Sequence, residues 1–211
     1  MNRPIFITGI GTGVGKTVVA AIITEALEAD YWKPVQSGNE EGTDSDWVKS
    51  SLTNSVSRIH PEVYSLKMPA SPHLAARKEN ILISVQHICE QKPFYNRNLI
   101  IEGAGGLMVP LNQNDFVLDM IRALNAKLVL VSRNYLGSIN HSLLTAALCK
   151  QYQLEVAGWV FNGYDTDYER EISGWSGYPL IASIPTSDDP GKLFVKAMAD
   201  KHRDTIKKMI C

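Results

Sequence analysis

The chain has 211 residues, 45% hydrophobic and 20% charged, a mixture that suits a packed globular core and excludes a disordered polymer. Its 21 basic and 22 acidic side chains leave a formal charge of -1 with both signs scattered, so no strong sequence-independent attraction to nucleic acid is expected. Cys89, Cys149 and Cys211 are odd in number and widely spaced, which suggests neither a disulfide framework nor a zinc cage and fits a reducing compartment.

In chain order, residues 4–8 form a short apolar run ended by glycine, the pattern of a buried parallel strand. From Lys16 onward, residues 17–27 carry apolar side chains at helical spacing, and residues 30–33 supply a second short strand. Residues 34–72 are rich in Ser, Gly, Asn, Asp and Pro and read as working loops, with one short helix beginning near Asp46. Apolar runs at residues 98–102, 127–132, 156–162 and 180–184 read as further strands separated by helices, and residues 190–210 read as a closing helix. Lys201, His202, Arg203, Lys207 and Lys208 make a basic cluster on that helix, read as a solvated face.

Such alternation predicts an α/β fold: a single P-loop NTPase-like domain over residues 1–211, with a mostly parallel sheet covered by helices on both faces. Ligands are then expected at the carboxyl ends of the strands. No apolar run approaches the roughly 18 residues of a membrane span. The functional glycines begin by Gly9, leaving no room for a secretory segment, so a cytoplasmic protein with no membrane or nucleic-acid partner is expected.

The chemistry starts at residues 9–17, where Gly9, Gly11, Gly13 and Gly15 lead into Lys16 and Thr17 between the first strand and the first helix. Backbone N–H groups and the helix dipole there meet phosphate oxygens, with Lys16 countering the β/γ-phosphates and Thr17 ligating Mg²⁺. Thr12, Gly13, Val14 and Gly15 complete the phosphate cradle. The loop is one residue longer than the strict phosphate-loop pattern, which would need a glycine where Ile10 stands. It also lacks the lysine at position 11 that partition-type ATPase switches normally carry.

This loop combines with Lys33-Pro34-Val35-Gln36-Ser37-Gly38, Asp44-Ser45-Asp46, Pro69-Ala70-Ser71-Pro72-His73 and Glu102-Gly103-Ala104-Gly105-Gly106. Together with Gly137-Ser138-Ile139-Asn140-His141 and the run Ala157-Gly158-Trp159-Val160-Phe161-Asn162, these segments resemble the dethiobiotin synthetase family over most of the chain. The resemblance implies an ATP-dependent cyclo-ligase of biotin biosynthesis, with ATP as co-substrate and Mg²⁺ as cofactor. It implies 7,8-diaminononanoate and CO₂ as substrates and a carbamate and a carbamic-phosphoric anhydride on the way to dethiobiotin.

By the same resemblance, Lys33 and Lys16 are catalytic, and Thr17, Asp46 and Glu102 hold the metal. Asp44 competes with Asp46, since each lies in a polar turn where an aspartate can cap a helix, and the family match favours Asp46. Ser37 and Gly105 are expected on the substrate. Gly137, Ser138, Ile139 and Asn140 are expected to bind its distal carboxylate from a neighbouring subunit, which implies a homodimer. Asn162 and Pro185 are expected at the adenine. Residues 162–165 carry the outer residues of a guanine-reading Asn-Lys-x-Asp pattern but lack its lysine, which keeps ATP as the nucleotide. Many family members have a glutamate where this chain has Gly13. His73 and His141 read as satisfied structural histidines. A partition-type switch ATPase and an amidoligase on another acid and amine are the competing readings.

Overall fold

The computed structural model describes residues 3–40, 42–163 and 166–211. The chain runs through β1 (Ile5–Gly9), α1 (Lys16–Leu27), β2 (Asp30–Trp32), β3 (Val35–Ser37), α2 (Asp44–Ser51), β4 (Ile59–His60) and β5 (Tyr64–Leu66). It continues through α3 (Pro72–Lys78), α4 (Val85–Glu90), β6 (Leu99–Glu102), α5 (Val117–Ala123), β7 (Lys127–Arg133) and α6 (Ser138–Gln151). It closes with β8 (Val156–Asn162), α7 (Thr166–Ser176), β9 (Leu180–Ile184) and α8 (Lys192–Ile210).

Among the described residues, seven strands form one sheet in the order β4-β2-β6-β1-β7-β8-β9, and each adjacent pair is parallel. Successive side chains of a strand point to opposite faces, which divides the core in two. Phe6, Trp32, Leu99, Ile101, Leu128, Leu130, Trp159 and Phe161 pack on one face with apolar residues of α3 to α7. Ile5, Ile7, Tyr31, Ile100, Val129, Val131 and Val160 pack on the other against Val19, Ile22 and Ile23 of α1 and Val195 and Ala199 of α8. Covering both faces is why the central strands read as continuous apolar runs. Each large apolar side chain so buried stabilises the fold by roughly 1.5–3 kcal/mol.

The expected parallel sheet with helices on both faces is therefore the observed one. β1 lies between β6 and β7, so its C-terminal glycine and the tip of β6 open at the same sheet edge as the end of β2. α1 leaves that edge with residues Val19 to Ala26 almost wholly buried, held between the sheet and α8. Arg203 of α8 donates to Ala26 O at 2.6 Å, satisfying a carbonyl at the C-terminal end of α1.

Three details differ from the sequence reading. β2 ends at Trp32, so Lys33 is the first residue beyond the strand. α2 starts at Asp44 rather than near Asp46, with Thr43 as its N-cap. Residues 34–72, read as loops, also contain β4 and a separate two-stranded parallel sheet of β3 and β5. β3, β4 and β5 are two or three residues long and set among polar turn residues, so no apolar run marks them in sequence. Among the described residues, no helix is long and apolar enough to cross a membrane.

Candidate active site

The carboxyl ends of β1, β2 and β6 surround a cavity of about 730 Å³. The phosphate loop contributes Thr12, Gly13, Gly15, Lys16 and Thr17 to its wall; Lys33, Ser37 and Asp44 line a second side; Glu102 to Gly105 and Pro69 to Pro72 line the rest. Gly15 caps α1 in the left-handed region at φ 88°, and a Cβ there would lie 1.8 Å from Asn162 Nδ2. Only glycine meets both constraints. Asn162 in turn donates to Val14 O at 3.1 Å, so the end of β8 braces the loop from outside.

Four charged side chains converge within the cavity. Lys33 is 6% exposed and Glu102 1% exposed, and Lys33 Nζ lies 3.1 Å from Glu102 Oε1 and pairs also with Asp44 Oδ2. Burial disfavours the Lys33 charge, but the Glu102 and Asp44 carboxylates more than offset it and raise its pKa above the ordinary lysine value. Lys16 has the opposite balance. Burial, with repulsion from Lys33, brings its pKa down to about 8 despite Glu102 and Asp44. Its Nζ donates to Gly11 O at 2.8 Å, inside the loop's own curve.

Thr17 joins the two carboxylates. Its Oγ1 lies 3.0 Å from Asp44 Oδ1 and 2.8 Å from Glu102 Oε1. One hydroxyl proton cannot serve two carboxylate oxygens fully, and the surplus of acceptors suits a cation. A hydroxyl and two carboxylates are the sparse oxygen set that magnesium takes beside water and phosphate. Among the described residues, no group of three or more His, Cys, Asp or Glu gathers as a ready-made metal cage. Tyr31, wholly buried, donates to the other oxygen, Glu102 Oε2, at 2.7 Å. Burial and then the Glu102 charge hold its phenol pKa well above the ordinary range, so it stays a donor.

Asp46, expected on the metal from the family resemblance, does not line this cavity; the structure sets Asp44 beside Thr17 instead. Asp46 is the N3 residue of a capping box: Thr43 Oγ1 donates to its Oδ2 at 2.8 Å, and its backbone N–H donates to Thr43 Oγ1 at 3.1 Å. Asp46 is therefore held at the surface by its own helix start, while Asp44, two residues earlier, faces Thr17 and Lys33. The Thr-x-x-Asp spacing at residues 43–46 was the available signal. Tyr31 was missed because an aromatic side chain in an apolar strand reads as core.

A family model described as an AAA domain matches residues 3–192. The ATP-dependent dethiobiotin synthetase BioD of Cytophaga hutchinsonii is 50% identical over 198 residues, covering 93% of this chain and 95% of that protein. The protein of the same name from Christiangramia forsetii is 41% identical over 204 residues, covering 96% and 97%. The chain belongs to the dethiobiotin synthetase family.

Its fold is shared more widely. The septum site-determining protein MinD complexed with Mg-ADP from Pyrococcus horikoshii superposes with a TM-score of 0.61 at 13% identity, covering 98% of this chain and 94% of that one. A ParA family ATPase from Chlorobium tepidum gives 0.56 at 17% identity, covering 98% and 93%. At these identities the likeness concerns the fold.

Within this member of the dethiobiotin synthetase family, Ser37 Oγ is buried at the cavity wall without a hydrogen-bond partner, a group left open for a ligand. Asn162 and Ile184 pair at the ends of β8 and β9, which brings Asn162 and Pro185 to one edge just outside the cavity lining. Tyr164 and Asp165 of the guanine-type pattern lie outside the described residues. Gly137 caps α6 at φ 97°, and Ser138, Ile139 and Asn140 form its first turn, away from the main cavity. Ser138 Oγ donates to Tyr135 O at 2.5 Å. His141 Nδ1 lies 2.8 Å from Tyr135 OH, as expected of a satisfied histidine, whereas His73 Nδ1 is buried with no hydrogen-bond partner.

Proposed function

We propose that the protein joins CO₂ to 7,8-diaminononanoate at the expense of ATP, giving dethiobiotin, ADP and phosphate. The observation that carries this reading is the convergence of Lys16, Lys33, Asp44 and Glu102 on Thr17 in the phosphate-loop cavity of a dethiobiotin synthetase family member.

The reaction must bring two anions together. One substrate amine adds to CO₂ and loses a proton, giving a carbamate. A carbamate oxygen attacks the γ-phosphorus, and the bond from that phosphorus to the β–γ bridging oxygen breaks as ADP leaves. The second amine then attacks the carbamate carbon, expels phosphate with the electron pair of the C–O bond, and loses a proton as the urea ring closes. No protein nucleophile is needed. Positioning and fixed countercharge supply the acceleration.

Lys33, kept charged by Asp44 and Glu102, stands where carbamate and γ-phosphate meet. Lys16, now bonded to Gly11 O, turns to the β/γ-phosphates when ATP enters, and their charge favours its protonated form. Thr17, Asp44 and Glu102 would hold Mg²⁺, which would supply countercharge to the phosphates. Ser37 and the backbone at Gly105 receive the diamine, and Asn162 and Pro185 border the adenine. The first turn of α6, Gly137 to Asn140, where Tyr135 O already takes the Ser138 N–H, offers its remaining N–H groups to the distal carboxylate in a partner subunit's cavity, which makes the working form a homodimer.

Incubation with the diamine, bicarbonate, Mg²⁺ and ATP should yield ADP and a cyclic urea of dethiobiotin mass. A folded protein that binds ATP yet forms no urea under these conditions overturns the reading. Lys33→Ala should abolish ring closure and leave nucleotide binding measurable; near-normal turnover would remove Lys33 from the chemistry.

A further inference from the structure

Glu102 uses its two oxygens differently. Oε1 accepts from Thr17 Oγ1 at 2.8 Å and lies 3.1 Å from Lys33 Nζ, whereas Oε2 accepts from Tyr31 OH at 2.7 Å. Tyr31 is on β2 and packs with the core shared by α1 and α8, so its hydroxyl enters from beneath the sheet edge rather than from the cavity. Tyr31 is 0% exposed and Glu102 1%, which leaves bulk water no access to take the phenol's part.

We propose that Tyr31 is a positioning residue for the nucleotide-bound divalent cation, pinning Glu102 so that Oε1 alone faces the cation position beside Thr17. This rests on the metal assignment proposed above. The terminal torsion of a glutamate is broad and nearly two-fold, so an unanchored carboxylate presents either oxygen, or both, at small cost. Magnesium demands near-ideal octahedral geometry and is poorly served by a two-oxygen chelate. An anchored Oε2 fixes the carboxylate plane and leaves one oxygen in one direction. A neutral phenol does this without adding charge to a cluster in which two lysines already balance two carboxylates. Hydrogen-bond partners behind metal ligands typically control affinity by 10- to 100-fold.

The test is Mn²⁺ binding, followed by electron paramagnetic resonance, to the ADP complex of the full chain and of Tyr31→Phe. The variant should bind Mn²⁺ about tenfold more weakly, while its ADP affinity in chelator, without any metal, stays at the wild-type value. In the Glu102→Gln background, adding Tyr31→Phe should cause no further loss, because the phenol acts through that carboxylate. Mn²⁺ affinity unchanged by Tyr31→Phe, an equal loss of ADP binding with and without metal, or two losses that multiply would each overturn the inference. Should Tyr31→Phe not fold, Tyr31→Met, which also lacks the donor, takes its place. Failure of the wild-type ADP complex to bind Mn²⁺ would instead overturn the metal assignment itself.

Discussion

Thr17 has a single hydroxyl proton and two carboxylate oxygens within 3.0 Å of it, one from Asp44 and one from Glu102. That arrangement separates two aspartates that look interchangeable in sequence. Asp44→Asn should cut Mg²⁺-dependent turnover by at least about 100-fold, the scale of losing one preorganised charge contact. Asp46→Ala should leave turnover near wild type and cost about 1 kcal/mol of stability through the lost cap. Steady-state kinetics and thermal denaturation of the two variants read both outcomes; similar turnover losses would contradict the assignment. The loop glycines divide in the same way. Gly13, at φ 73°, has nothing within 4 Å of a Cβ, so Gly13→Ala meets only left-handed strain of about 1–2 kcal/mol. Gly15→Ala meets that strain and Asn162 together, so it should be the more destabilising, and adding Asn162→Ala should recover part of the loss in a melting experiment.

At the scale of elements, α1 is fixed at both ends. Its phosphate-loop end is braced by Asn162. Towards its other end, buried Glu25 accepts from the backbone N–H groups of Thr53 and Asn54 and from both their side chains, tying α1 to the chain just after α2. Burial alone would raise the Glu25 pKa, but the hydrogen bonds from Thr53 and Asn54 outweigh it, so the folded value lies below the ordinary 4.5. A depressed folded pKa means the unfolded chain binds the proton more tightly, so the stabilisation is present above 4.5 and is lost as pH falls through the folded value. Glu25→Gln should therefore cost about 1–3 kcal/mol of stability at pH 6–8, read as a lower melting temperature, and the gap to wild type should close as pH falls below the ordinary 4.5 and through the lower folded value. A gap that does not vary with pH would contradict this account of α1. The main strands and long helices were legible because their apolar runs are long and end in glycine or polar turns. β3, β4 and β5 were not, since each is two or three residues set among polar turn residues. Resemblance favoured Asp46 for the metal, while the capping box that joins it to Thr43 in this structure is a local hydrogen-bond pattern.

At the scale of the molecule, the chain's own cavity lacks one expected part. The first turn of α6 lies away from it, beside Leu136, which is fully exposed, and near a smaller groove of about 300 Å³ lined by Ile10, Met108, His141 and Leu144. A second copy seated there would bury these apolar groups and bring Gly137 to Asn140 to its partner's cavity. Sedimentation should show a dimer, and Leu136→Glu should weaken it and raise the KM for the diamine while sparing ATP binding; an active monomer would contradict the shared site. The proposal for residues 137–140 rests on the family resemblance rather than on any local pattern, because alone they read as an ordinary helix start. In the proposed reaction this cavity transfers a carbamate oxygen to the γ-phosphorus of ATP. Turnover with ¹⁸O-labelled CO₂, followed by mass spectrometry, tests it most directly. One labelled oxygen should appear in the released phosphate and one in the urea carbonyl; unlabelled phosphate alongside dethiobiotin, or phosphate released with no dethiobiotin, would contradict it.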